Sequence, residues 1–150
     1  MGALCGRCLG APVGRGLDGA YKLLHCVGRG AEAEVWLAEE QDTGERYALK
    51  IIPRAYCQEA WRAQALIREV LCSLELGAQH VHIIQPYELL LTRTHVVLAT
   101  AYAPGGTLAR YCSTHRVDEH TALYFFRQLV AAIRFCHSKK VIFRDIKARS

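Results

Sequence analysis

From Tyr21 onward the apolar positions fall in short runs separated by turn residues. Tyr21-Lys22-Leu23-Leu24-His25-Cys26-Val27 runs into Gly28, Val35-Trp36-Leu37-Ala38 follows, and Asp42-Thr43-Gly44 leads into Arg46-Tyr47-Ala48-Leu49-Lys50-Ile51-Ile52, closed by Pro53. Three such runs joined by short polar turns predict an antiparallel meander. Over residues 57–76 the period becomes helical, with Trp61, Ala65, Val70 and Leu74 apolar among Arg62, Gln64, Arg68 and Glu75. Two more strands are expected at Ile83 to Leu91 and His95 to Ala101, on either side of Thr92-Arg93-Thr94. Pro104-Gly105-Gly106 then breaks the pattern and marks a boundary between a β-rich part and a helical one. Beyond it Thr107 and Asp118 read as helix N-caps, the second ahead of the amphipathic stretch Leu123, Phe126, Leu129, Val130 and Ile133, ending near His137. Val141-Ile142-Phe143 predicts a last short strand.

At 150 residues and 51% apolar, the chain is expected to form one globular domain with a sizeable core. Its 19 basic and 14 acidic residues are dispersed, so the net charge of +5 reads as a solvated basic surface, not a nucleic-acid or membrane site. Seven cysteines at irregular spacing indicate reduced thiols packed as small hydrophobes, and hence a cytosolic or nuclear protein. No run is long and apolar enough for a transmembrane segment. In residues 1–19, Gly2 and Cys5 hint at acylation, although Gly6 replaces the expected hydroxyl residue, and Cys5 with Cys8 makes half a zinc site. The segment reads instead as a flexible Gly-rich leader.

Chemistry concentrates in three places. Gly28-Arg29-Gly30-Ala31-Glu32-Ala33-Glu34-Val35 fits G-x-G-x-x-[GA]-x-V, a loop whose bare backbone admits phosphate oxygens to its N–H groups. A dinucleotide-binding loop would start a helix at the third glycine position, but here a strand follows. Lys50 closes Tyr47-Ala48-Leu49-Lys50 on a predicted strand, and Glu69 lies on the predicted helix. Taken singly these are a turn, a surface lysine and a solvated glutamate. Their order and joint placement argue against three coincidences.

With these motifs on the page, residues 21–150 resemble a eukaryotic serine/threonine protein kinase domain. The tracts His80-Val81-His82-Ile83-Ile84 and Tyr124-Phe125-Phe126-Arg127-Gln128-Leu129 are similar to the sucrose-nonfermenting-related and calcium/calmodulin-dependent branch. The resemblance implies an α+β protein-kinase-like fold, with an antiparallel N-lobe sheet and one helix over 20–103 and the start of a helical C-lobe over 104–150. It implies ATP and Mg2+ as cofactors and a protein Ser/Thr substrate. ATP would be held by Gly28, Gly30, Ala33, Val35, Ala48 and Lys50, with Thr100 as gatekeeper and Ala101 to Ala103 as the adenine-binding hinge. Glu69 would hold Lys50 extended. Phe143-Arg144-Asp145-Ile146-Lys147-Ala148-Arg149-Ser150 resembles H-R-D-[LI]-K-P-E-N. By that likeness Asp145 would orient the substrate hydroxyl, Lys147 would contact the γ-phosphate, and Arg144 would pair with a phosphorylated activation loop. Ser150 stands where the family has its magnesium-binding asparagine, and a hydroxyl is the poorer ligand.

Two functions follow from different classes: a serine/threonine kinase, of which this chain is the N-terminal half and inactive alone, or a non-catalytic kinase-like module that binds nucleotide or a partner. Lys50 and Glu69 are expected to pair. The apolar stripe of helix 119–137 is expected to be exposed and to drive self-association.

Overall fold

In a computed structural model of the chain, the described residues are 19–144, 146 and 147. Five strands, β1 (Tyr21–Arg29), β2 (Glu34–Glu40), β3 (Arg46–Pro53), β4 (Pro86–Leu91) and β5 (His95–Ala101), form one antiparallel sheet in the order β1-β2-β3-β5-β4. A long helix, α1 (Ala60–Gly77), is inserted between β3 and β4. Two helices, α2 (Leu108–Thr114) and α3 (Glu119–Ser138), follow the sheet. The expected α+β architecture is therefore present, with the meander leading and the helices after the Pro104-Gly105-Gly106 break.

Strand alternation sorts β3 into two sets: Tyr47, Leu49 and Ile51 toward one face, Ala48, Lys50 and Ile52 toward the other. Tyr47 and Leu49 of the first set, with Tyr21, Ala38, Val97 and Ala99, are the core, and Ala20, Ile51 and Leu90 pack at its margin. Across this face the two edge strands meet, because the Tyr21 hydroxyl on β1 donates to the Glu88 carboxylate on β4 at 2.5 Å. In a flat sheet four interstrand gaps of about 4.8 Å would hold the edge strands roughly 19 Å apart, so this bond requires strong curling. Tyr21 meets the Tyr47 ring edge-on at 5.8 Å, and Tyr47 lies 4.6 Å from Tyr87. Burial, and then the Glu88 hydrogen bond, push the Tyr21 phenol far above its ordinary range.

Several expected boundaries move, each for a local reason. The helix starts at Ala60 and not at 57, since Arg54–Gln58 form a 3-10 turn whose first amide, on Arg54, bonds to the Thr94 carbonyl. Strand β4 starts at Pro86 and not at Ile83, because residues 78–85 turn back, with the Ile83 amide on the His80 carbonyl. A β-carbon on Gly77 would meet Pro86 Cδ at 2.5 Å and the Ile84 carbonyl at 2.9 Å, so only glycine fits where the helix end passes β4. Residues 141–143 form no strand. The Val141 amide is taken by the Cys136 carbonyl, closing the end of α3, while Lys140 adopts the left-handed φ of 61° usual in that cap.

Both expected N-caps are present: Thr107 Oγ1 accepts from the Arg110 amide at 3.2 Å and Asp118 Oδ1 from the Thr121 amide at 2.8 Å. Hydrogen bonds from Thr121 hold the Asp118 carboxyl below its usual range. The cysteines fit the expectation less well. Of the five described, all free, only Cys136 is buried, and its thiol is pushed up by burial, whereas Cys112 is exposed. The leader and its Gly2, Cys5 and Cys8 lie outside the described residues.

Replacing Tyr21 by Phe removes the hydroxyl that donates to buried Glu88 without emptying the core. The expected loss is about 1–3 kcal/mol, the cost of a buried polar group left without its partner, read by denaturant unfolding. Because the Tyr21 phenol is raised in the folded state, its contribution is complete below the unfolded value of about 10 and declines as pH rises above it. The wild-type advantage over Tyr21→Phe should therefore shrink in alkali.

Candidate functional site

The face of the sheet opposite the core carries the motif residues. The β-ladder places Val35, Lys50 and Leu98 abreast, and one step along places Leu37, Ala48 and Thr100 abreast. Four residues expected in one site thus share one face. Thr100 Oγ1 donates to the Ala48 carbonyl at 3.4 Å. From this face Lys50 extends to α1, where its Nζ lies 2.5 Å from Glu69 Oε1. The lysine side chain is 35% and the glutamate 50% exposed, so the pair faces solvent at the cleft and not the core.

Above it the loop between β1 and β2 is short and self-contained. The Gly30 amide bonds to the Ala33 carbonyl at 2.9 Å, and Arg29 pairs with Glu34 at 3.3 Å. A β-carbon built on Gly28 would meet nothing within 4 Å, and one on Gly30 only the Ala33 carbonyl at 3.5 Å, an ordinary contact. Neither glycine is required by packing within the chain or by a positive φ.

Past β5 the Ala101 amide is bonded to the Gln85 carbonyl and the Ala103 carbonyl to the Gly106 amide. Among the described residues no backbone acceptor outside the strand ladders takes the Ala103 amide. This arrangement fits ATP: an open glycine loop, a fixed cation beneath it and a backbone donor at the far side of an apolar sheet face. For Mg2+, no group of three His, Cys, Asp or Glu side chains that could hold a metal occurs among the described residues, and Ser150, the expected magnesium position, lies outside them. Arg144 is exposed on the segment after α3, where Lys147 also lies, away from the strand residues in the chain; Asp145 and Ser150 lie outside the described residues.

One group escaped the sequence reading. Glu32 and Ala33 share a pocket of about 70 Å³ with Lys50, Tyr56, Arg62 and Glu69. The available signal was a charged residue at the tip of a loop whose neighbours are small.

A sequence profile of the protein kinase domain matches residues 21–149. The chain belongs to the protein kinase domain family. CBL-interacting protein kinase 30 of Oryza sativa subsp. japonica is 35% identical over 130 residues, which are 86% of this chain and 27% of that kinase. Sucrose non-fermenting protein kinase 1 of Fusarium virguliforme is 38% identical over 130 residues, 86% of this chain and 18% of the relative. CBL-interacting serine/threonine-protein kinase 18 of Arabidopsis thaliana is 30% identical over 131 residues, 87% of this chain and 25% of the relative. This kinase chain thus spans between 18% and 27% of the length of these three relatives. The expected serine/threonine kinase family and its N-lobe fold are correct.

Because the Lys50–Glu69 pair is half in water, its coupling in a double-mutant cycle of Lys50→Met and Glu69→Gln is expected to be about 0.2–1 kcal/mol by thermal or denaturant unfolding. A coupling of several kcal/mol would mean that the pair supports the fold itself.

Proposed function

We propose that the chain carries the nucleotide-binding half of a serine/threonine protein kinase. The observation that carries this reading is the Lys50–Glu69 pair at 2.5 Å, bridging β3 and α1 beneath a glycine loop whose glycines serve no packing need. In this reading the backbone of Gly28, Gly30 and Ala33 lies against phosphates, and Val35, Ala48 and Thr100 against the adenine ring. Ala101 and Ala103 offer backbone hydrogen bonds, Lys50 neutralises the α- and β-phosphates, and Glu69 keeps it extended. ATP when bound supplies the phosphoryl group. Asp145 would orient the acceptor hydroxyl, Lys147 the γ-phosphate, and Arg144 a phosphorylated segment.

A second reading, nucleotide binding without transfer, is favoured by Ser150. By the resemblance it takes the metal-ligand position with a short hydroxyl, a poorer ligand than the family's amide carbonyl. The 150-residue polypeptide is therefore expected to bind an ATP analogue by thermal shift or calorimetry, to lose that binding in Lys50→Met, and to transfer no phosphate to Ser/Thr peptides. Absence of analogue binding would sink the nucleotide reading. Transfer abolished by Asp145→Asn would sink the inactivity of this polypeptide.

Self-association belongs to the same proposal. Leu123, Phe126 and Leu129 on α3 are 42%, 60% and 42% exposed, whereas Val130 and Ile133 of the expected stripe are half-buried. Burying side chains of this kind is worth about 1.5–3 kcal/mol each, enough for an uncovered stripe to draw copies together. Size-exclusion chromatography is expected to show concentration-dependent oligomers that Phe126→Glu reduces; a wild-type monomer at all concentrations would refute it. No helix among the described residues is long and apolar enough to cross a membrane, so this stripe is not a span.

A further inference from the structure

Arg29 and Glu34, the charged residues at the two ends of the glycine loop, lie on the side of the sheet turned from the cleft. Residues opposite one another across an antiparallel ladder project to the same side. Gly28, Val35 and Lys50 are abreast and share the cleft face, whereas Arg29, Glu34 and Ile51, the next row, share the core face. One row further along the core face stand Cys26, Trp36 and Leu49. The Glu34 carboxylate is engaged through both oxygens: Oε1 lies 3.3 Å from Arg29 Nε, and Oε2 accepts from the Trp36 indole Nε1 at 2.9 Å. The first contact crosses the mouth of the loop from β2 to β1, and the second anchors the carboxylate to a half-buried ring on β2. On β1 the Cys26 thiol donates to the Gly28 carbonyl at 3.3 Å, across the register shift that leads into the loop.

We infer that Glu34 is a positioning residue for the glycine loop, its carboxylate clasping Arg29 on β1 to Trp36 on β2 from behind the hairpin. An ion pair with side chains 71% and 46% exposed is weak alone, because both partners lose side-chain freedom to form it. The charge-assisted bond from the indole holds the carboxylate in place beforehand, so that only Arg29 has to be ordered. With the mouth of the hairpin closed, the loop amides keep one arrangement before any ligand arrives, which lowers the entropy lost on binding. The carboxylate is also neutralised by Arg29 on the side away from Lys50. The clasp stands on these contacts; its effect on affinity rests on the nucleotide reading proposed above.

The two parts separate in experiment. The chain has two tryptophans, so its two indole N–H resonances are assigned by Trp61→Phe. In the ligand-free 150-residue chain, Glu34→Ala is expected to speed exchange of the Trp36 indole proton several-fold, and Glu34→Gln, which keeps an acceptor, to speed it less. Amide deuterium uptake over residues 28–35 should rise about two- to fivefold in Glu34→Ala and in Arg29→Met, and no further in the double variant. Uptake over β3 and β5 should be unchanged, which a general loss of structure would not allow. Unchanged indole exchange or loop uptake in Glu34→Ala, or additive effects, would overturn the clasp whatever the chain binds. With a non-hydrolysable ATP analogue, Glu34→Ala is expected to weaken binding about two- to fivefold, the range of one exposed ion pair. The sign is diagnostic, because removing a carboxylate that acted only through its charge would tighten binding of an anion. Equal or tighter binding would overturn the positioning role. Wild-type protein that binds no analogue while its indole and loop respond as described would refute the nucleotide reading and support the clasp.

Discussion

The bond between Tyr21 and Glu88 joins strands at opposite edges of a five-stranded sheet, and the rest of the fold depends on the curl it enforces. A curled sheet has a concave side that its own side chains can fill. Tyr21, Ala38, Tyr47, Leu49, Val97 and Ala99 do so, with Ala20, Ile51 and Leu90 packed against them among the described residues, which a flat sheet of this size could not manage. It is notable that a polar bond performs this closure. A buried carboxylate is tolerable only when partnered, so the Glu88 position is coupled to Tyr21 more tightly than an apolar contact would be.

With the core on one side, the other side of β3 and β5 is free to carry chemistry. The Lys50–Glu69 pair is too exposed to fix this geometry by its own energy. Its geometry is inherited: from the ladder that sets Lys50 beside Val35 and Leu98, and from the close passage of Gly77 against Pro86 and Ile84 that anchors the far end of α1. A weak pair on a rigid frame keeps the lysine available to a ligand, since the cost of exchanging one partner for another is small.

Most of this frame was legible because strands and amphipathic helices announce themselves through period and punctuation. His95 to Ala101 was found with its observed boundaries, and Thr107 and Asp118 were read as the caps they are. The misses share a different cause. Val141-Ile142-Phe143 has the composition of a strand, but a strand needs a neighbour, and the Val141 amide is committed to the α3 cap. Residues 57 and 58 carry helical signals yet sit in a tighter turn after Pro53. Tyr21–Glu88 was invisible for a simpler reason: a contact between residues distant in sequence leaves no periodic trace in one chain. Of the expected site, the sheet-borne part is assembled, while Asp145 and Ser150 lie outside the described residues, so the end that would do the transfer was legible only as a motif.

The same asymmetry runs through the energetics. On α3 only Cys136 is buried, and the helix is tied to the remainder chiefly by His80 stacked on Phe135 at 5.0 Å and by Tyr111 against Phe125 at 5.3 Å. The sheet and α1, in contrast, contain every other residue of the buried core. Stability and the geometry of the Lys50–Glu69 site therefore reside together in residues 21–101, in a unit whose parts constrain one another. Arg144 and Lys147 follow a helix on which Leu123, Phe126 and Leu129 are exposed. In a reaction whose catalysis is largely positioning, groups carried on the sheet keep their geometry independently of whatever packs against α3.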